Sequence, residues 1–291
     1  MKRTTNGDRA LSALFTVIVG IAVLLTVIPF LNVIAMSLSS PDSINSGRVW
    51  LWPVGINFEA YKAVFTDMSM LWALAYTVIL TLLYTILAML LTILLAYPLT
   101  KERLFGRRFF SLLFVFTMYF NGGVIPEYIL FRQLKIINTM TVLIIPGLLS
   151  VYNMIILKTF LKGLPSSIEE SASLDGASDF RILFKIVVPL SKPVLATLCL
   201  YYAVFRWNTF QDVLYFVTNS SLYTLQMKLN MLINITQSSE LSQFEGANLS
   251  KLVAENIKSA SIIFATVPII LVYPWLQRYF VTGMTLGAVK E

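Results

Sequence analysis

The stretch EESASLDGASDFRILFKIVVPLSKP, Glu169 to Pro193, interrupts a chain that is otherwise mostly apolar. Its local pattern is that of two short helices. Pro165-Ser166-Ser167-Ile168-Glu169-Glu170 reads as a helix start, in which either serine caps and a glutamate three residues on closes a capping box. A first helix then runs to Gly176, a residue able to take the left-handed conformation that ends helices. Ser178-Asp179 starts a second helix over Phe180–Val187, which Pro189 is expected to stop. Ser171 and Ala172 are small enough to let another surface approach closely, and acidic residues flank them. A protruding helix of this build suits a groove on a partner.

The surroundings of that stretch set its context. The chain has 291 residues, 57% of them hydrophobic and 13% charged, with mean hydropathy +0.76. Soluble domains average roughly 45–50% apolar and ~25% charged residues, so a polytopic membrane protein is expected. The net charge of +7 comes without any basic patch interleaved with aromatics, so no nucleic-acid partner is expected. The single cysteine, Cys199, lies in an apolar run and reads as a small packed hydrophobe. The chain has no histidine, which removes the commonest metal ligand and general base, and no metal site is expected. No G-x-x-x-x-G-K-[ST] run occurs, so any ATP is held by another polypeptide.

A membrane helix needs about 20 mostly apolar residues. Six runs qualify: 11–38 with Pro29 as a tolerated kink, 71–99, 109–131, 140–161, 193–217 and 257–280. The first resembles a signal peptide in its basic start, but it is too long and has no small-residue cleavage site, so it reads as a retained helix. Basic residues alternate between loops. Lys2, Arg3 and Arg9 precede the first span; Lys101, Arg103, Arg107 and Arg108 follow the second; Lys158, Lys162, Arg181, Lys185 and Lys192 follow the fourth. The intervening loops are poorer in them. The positive-inside rule then puts both termini, and the 165–189 segment, in the cytoplasm.

The run Glu170-Ser171-Ala172-x₃-Gly176-x₉-Ile186-x-Val188-Pro189 resembles the EAA-x₃-G-x₉-I-x-L-P signature of permease subunits in binding-protein-dependent ABC importers. Ser171 and Val188 depart from the pattern conservatively. The wider EEAxxxDGA…LPLSKP form is similar to the carbohydrate-uptake branch, in the manner of maltose-type inner permeases. FNGGVIPEY, GASDFRILFKIVVPLSKPVLATL, RWNTFQDVLYF and the terminal GMTLGAVKE look especially like its oligosaccharide and lipoprotein-type members. The resemblance extends over nearly the whole chain. It implies an all-α membrane protein of six transmembrane helices with a cytoplasmic coupling helix, the MetI-like fold of type I importers, as a single permease domain over 1–291. In that family the coupling helix enters a cleft on a cytoplasmic ATPase, and closure of the ATPase dimer on ATP switches the spans from inward- to outward-facing. Carried over, Glu169, Glu170, Ser171, Ala172, Asp175, Gly176, Ala177, Ile186 and Pro189 form the ATPase-coupling element, with Gly287, Lys290 and Glu291 as a C-terminal ATPase contact. The implied partners are a second permease subunit, expected to be a different chain, two ATPase subunits that hold ATP and Mg, an extracellular or periplasmic solute-binding protein, membrane lipid and a saccharide.

Two further features each carry two readings. The Asn121-Gly122-Gly123 break lies ~18 Å into the third span at ~1.5 Å per residue. Broken helices at that depth line cavities or are buried in protein, so Asn121, Gly122, Glu127 and Tyr128 are candidates for the translocation path or its outer gate. The plainer reading is an early helix end, with Pro126–Leu134 along the outer surface. Arg206, Trp207, Asn208, Gln211 and Asp212 fall in the outer half of the fifth span, where ionisable groups are functional candidates; Asn153 joins them from the fourth. Trp207, Asn208 and Gln211 supply the aromatic face and amide groups that sugars need, and Arg206 hints at an acidic sugar. The plainer reading is that Arg206 pairs with Asp212 or reaches the interface. The outer loop 219–255 contains a helix over Leu222–Ile233 and is expected to help dock the solute-binding protein. A secondary transporter and a non-transporting membrane interaction protein are the alternatives; the former would need intramembrane carboxylates, of which the spans carry few beyond Glu127 and Asp212.

Overall fold

The structure is a computed structural model and describes residues 6–120, 122–241, 255–272 and 274. Those residues form helices and connecting turns, with no strand among them. They divide into two compact units, one of residues up to Leu71 with Leu229–Val267, the other of Trp72–Lys228 with residues from Pro268 on.

In the first unit, α1 (Asn6–Ser37) runs unbroken through Pro29. Over Leu11–Ser37 it is apolar and long enough to cross a membrane; most of it is unburied within the chain, and only its end, at Ala35 and Ser37, is buried. The end of the helix leaves carbonyls without helical partners. Asn256, buried on the last described helix, donates its amide to Met36 O at 3.0 Å and Ser39 O at 2.7 Å. Asn57 N reaches Leu38 O at 2.9 Å. Two short helices follow, α2 (Pro41–Asn45) and α3 (Glu59–Thr66).

The second unit is organised on α4 (Met68–Ala96), which continues into a 3₁₀ turn at Pro98–Thr100. The third expected span is two helices, α5 (Arg107–Tyr119) and α6 (Val124–Gln133), inclined at 114°. At 1.5 Å per residue α5 is about 20 Å long, short of the ~30 Å apolar core. The break falls where the glycines predict it; Asn121 itself lies outside the described residues.

The fourth span, expected to be continuous over 140–161, is not. α7 (Met140–Ile144) passes through a 3₁₀ turn at Ile145–Gly147 to α8 (Val151–Lys162), with a 46° bend. Pro146 removes one backbone donor, and neighbouring helices take up the groups that the break releases. Tyr84 of α4 donates its hydroxyl to Gly147 O at 2.5 Å, and Ser150 N donates to Tyr202 Oη at 3.2 Å. A Cβ on Gly147 would stand 3.2 Å from Tyr84 Oη, so a close approach needs glycine there.

The next segment comprises α9 (Ser166–Leu174), α10 (Asp179–Ile182), a wide π turn over Leu183–Val187 and α11 (Val188–Leu190). Two local expectations fail. The capping box does not form: Pro165 occupies the cap position in extended conformation with no side-chain cap bond, and both serines lie inside the first turn. Pro189 does not stop the second helix. An α turn would press its ring on the carbonyl four residues back, and the wider π turn removes that clash. The chain breaks instead at Ser191, and α12 (Lys192–Asn208) leaves at 85°.

The fifth span ends earlier than the expected Val217. α12 stops where Thr209 turns extended, and α13 (Gln211–Phe216) is separate. α14 (Leu225–Leu241) and α15 (Glu255–Val272) complete the described helices. Of the sixth expected span, residues past Val272 lie outside the description except 274, as do the outer-loop residues 242–254, Lys2, Arg3 and the tail residues Gly287, Lys290 and Glu291. Among the described residues three helices are long and apolar enough to cross a membrane, or up to six crossings if each of three bent pairs is one span.

Candidate functional site

The 165–189 segment is built from short helices because its sequence cannot sustain a long one. α9 ends as Gly176 takes φ +80°, with Gly176 N bonded to Ser173 O at 3.0 Å and Ala177 N to Ala172 O at 3.0 Å. That left-handed closure satisfies the last carbonyls of the helix. α10 then folds Ile182, Leu183 and Val187 into a buried cluster with Ala96, Tyr97 and Leu99 from the end of α4. Ala172 and Ala177 pack against the same cluster, and Ile186 is half-buried.

The opposite face is open. Glu170, Ser171, Asp175, Gly176 and Pro189 are exposed. Leu174 is 89% exposed and Phe180 69%, apolar side chains that a soluble surface does not normally leave in this density. Phe105, from the loop after α4, is 96% exposed. The Ser171 hydroxyl donates back to Ser167 O at 2.8 Å, leaving a low-relief surface at that point. Ala172, expected beside Ser171 on the docking face, turns inward instead.

Glu169 also differs from its expected role. It is half-buried and paired with Lys101 Nζ; Tyr97 Oη donates to it at 3.4 Å, and the Lys101 ammonium lies 4.1 Å from the Tyr97 ring centroid. Burial, and then the Arg103 guanidinium, push the Lys101 pKa below its ordinary value, with Asp179 opposing them. A second, exposed pair joins Arg103 to Asp179 at the start of α10. Lys101, Arg103 and Asp179 were not singled out from sequence as site residues; their partners lie 68 and 76 positions away, and no local pattern marks such pairs.

The outer candidates separate into a buried pair and an exposed remainder. Arg206 is 2% exposed. Its two terminal nitrogens donate to both carboxylate oxygens of Asp212, to Leu143 O at 2.9 Å and to Thr209 O at 3.2 Å. The hint of an acidic-sugar contact at Arg206 is therefore corrected: its charge is matched inside the protein. Trp207 is buried as well, while Asn208 and Gln211 are exposed, with Asn208 Nδ2 bonded to Val204 O at 2.8 Å. The structure brings α6 and α13 together: Tyr128 stacks on Phe216 at 6.3 Å and Phe131 meets it edge-on at 5.0 Å. Gly122 is exposed, Glu127 half-buried and Asn153 buried at the start of α8. Asn138, unmarked by the sequence reading, takes φ +61° and its side-chain oxygen accepts from Thr218 N and Asn219 N at 3.0 and 2.8 Å.

Comparison with known proteins meets this geometry directly. The family model described as binding-protein-dependent transport system inner membrane component matches residues 1–286. The polygalacturonan/rhamnogalacturonan transport system permease protein YtcP of Bacillus subtilis (strain 168) is 37% identical over 267 residues, 92% of this chain and 93% of that protein. Protein LplC of the same organism is 36% identical, over 91% and 90% of the two chains. Among solved structures, a chain of a bacterial ABC transporter involved in the import of the acidic polysaccharide alginate superposes with TM-score 0.86 at 30% identity, covering 96% of this chain and 100% of that one.

Proposed function

The chain belongs to the family of inner membrane components of binding-protein-dependent transport systems, and on that premise we propose that its cargo is an acidic oligosaccharide. As a permease component it provides a membrane path and no catalysis of its own. ATP and Mg are held by two ATPase subunits, a second permease chain completes the path, and a solute-binding protein delivers the cargo. Both termini and α9 face the cytoplasm, as the distribution of Lys and Arg requires.

The observation that carries the coupling role is the open face of α9. A nine-residue helix closed by a left-handed glycine, with Glu170 and Leu174 exposed on it, has the build of a helix that docks in a groove. The acidic cargo is supported by the likeness to the alginate importer and to the permease named for polygalacturonan, not by Arg206. The pairing of Asp212 with Arg206 argues against ion-coupled transport through that carboxylate.

The test is ATPase activity of the assembled complex in lipid vesicles, with its solute-binding protein, over acidic and neutral oligosaccharides. Acidic oligomers are expected to stimulate hydrolysis, and Glu170→Lys to abolish the stimulation while the membrane subunits remain assembled. Stimulation by neutral sugars alone refutes the cargo assignment; normal stimulation in Glu170→Lys refutes the docking assignment.

A further inference from the structure

We propose that Lys101 is a positioning residue for coupling, whose ion pair with Glu169 locks α9 to the inner end of α4 so that the two move as one lever. The proposal rests on the importer reading above and adds to it the joint through which force on α9 enters the membrane helices.

Two kinds of contact hold α9 and α10 against α4. The first is apolar packing of Tyr97 and Leu99 on Ile182, Leu183 and Val187. Apolar contact is non-directional and tolerates sliding, the more so where the facing side chains are as small as Ala172 and Ala177. The second kind is directional. Glu169 points to the opposite side of α9 from the open face and meets Lys101, with side-chain exposures of 25% and 21%. Tyr97 closes the site twice over, its hydroxyl donating to Glu169 and its ring lying against the Lys101 ammonium. Separating a half-buried pair leaves two charges short of both water and partner, so this joint resists shear along α4.

The Arg103–Asp179 pair leaves the same stretch beyond α4 but ends on α10 rather than on α9, and it does not serve the same way. Its side chains are 67% and 58% exposed, where water and salt screen the attraction and release costs little. The two pairs thus serve as an internal control: each joins a cation beyond the end of α4 to a carboxylate of the α9–α10 segment, and they differ in burial.

The test uses the complete complex with its ATPase subunits in lipid vesicles and reads the ratio of stimulated to basal hydrolysis, with co-purification of the ATPase subunits as a second readout. Lys101→Glu and Glu169→Lys are each expected to cut that ratio by roughly tenfold, the scale of a charge-assisted contact to a half-buried group. The exchanged pair, Lys101→Glu with Glu169→Lys, is expected to restore most of it, which a merely structural requirement for either residue would not do. Arg103→Glu is expected to change it by no more than about threefold, the scale of an exposed pair. Undiminished stimulation in Lys101→Glu, or an exchanged pair as impaired as the single variants, overturns the proposal. So does loss of the ATPase subunits from the Lys101→Glu complex, which would make the pair an assembly contact. A wild-type complex that no loaded binding protein stimulates overturns the importer reading itself, and this proposal with it.

Discussion

Replacing Asp212 by alanine isolates the energetics of the most buried charge among the described residues of the spans. In the native structure the Arg206 guanidinium is 2% exposed, gives one bond each to Leu143 O and Thr209 O, and among the described residues is balanced by the Asp212 carboxylate. Asp212→Ala leaves the two carbonyls but removes the counter-charge. Deleting one partner of a buried pair costs about 3–5 kcal/mol, and the partial exposure of Asp212 (21%) places this case near ~3 kcal/mol. With roughly 2–4 °C lost per kcal/mol in proteins of this size range, the midpoint should fall by about 6 °C or more. Removing both charges at once, as Arg206→Met with Asp212→Leu, should cost about 1 kcal/mol or less, because no uncompensated charge is left. The measurement is the fraction of assembled complex surviving a heating series in detergent, read by size-exclusion chromatography. A single variant within about 1 °C of the parent, or a double variant worse than the single, would refute the view that Asp212 is chiefly the counter-ion of Arg206.

Three further outcomes follow from local geometry. Gly147→Ala brings a methyl 3.2 Å from the Tyr84 hydroxyl and should destabilise the complex by about 1–3 kcal/mol, while Tyr84→Phe in the same chain should recover part of that loss in the same heating assay. Gly176→Ala meets no atom within 4 Å, so its cost is the backbone strain of φ +80° alone, about 1–2 kcal/mol; a heating midpoint unchanged from the parent would show that the turn relaxes freely. Leu174→Cys, in a Cys199→Ser background, should react with a membrane-impermeant maleimide only in inverted vesicles and be shielded when the ATPase subunits are present; labelling from the outer face would reverse the topology.

What could be read from sequence followed the range of the interactions involved. Apolar runs marked the spans, and the coupling segment stood out because its spacing is carried by adjacent residues. Breaks set by tertiary contacts were not legible. Pro146-Gly147 sits in an apolar run that satisfies the length rule for a span, and the bend depends on Tyr84 and Tyr202, which reach it from 63 and 52 positions away. At Pro189 the local rule was applied correctly and lost, because a π turn can absorb the ring that an α turn cannot. The capping box fails because Pro165 takes the cap position; of the two glutamates that could have closed it, Glu169 pairs with Lys101 and Glu170 stays exposed. Arg206 with Asp212 lies between these cases, since six positions are near enough to name the pair but not to decide whether it faces cargo or protein.

Three of the long-range bonds in the second unit run to one helix and its continuation. Tyr84 holds the carbonyl of Gly147 at the break in the fourth span, the Thr92 hydroxyl meets Tyr202 at 2.7 Å, and Lys101 beyond the helix end holds Glu169. At 1.5 Å per residue the first two anchor points stand about 12 Å apart along α4. The bonds at Gly147 and Ser150 go to backbone groups that an unbroken helix would have paired internally. The break that Pro146 opens is therefore held by α4 and α12, and the stretch beyond the end of α4 is bonded to α9 as well. A rigid rod with directional contacts at its middle, near its inner end and just beyond it differs physically from one packed only through Leu and Ala side chains: displacing it must either carry its partners along or break polar bonds to groups that are buried or half-buried.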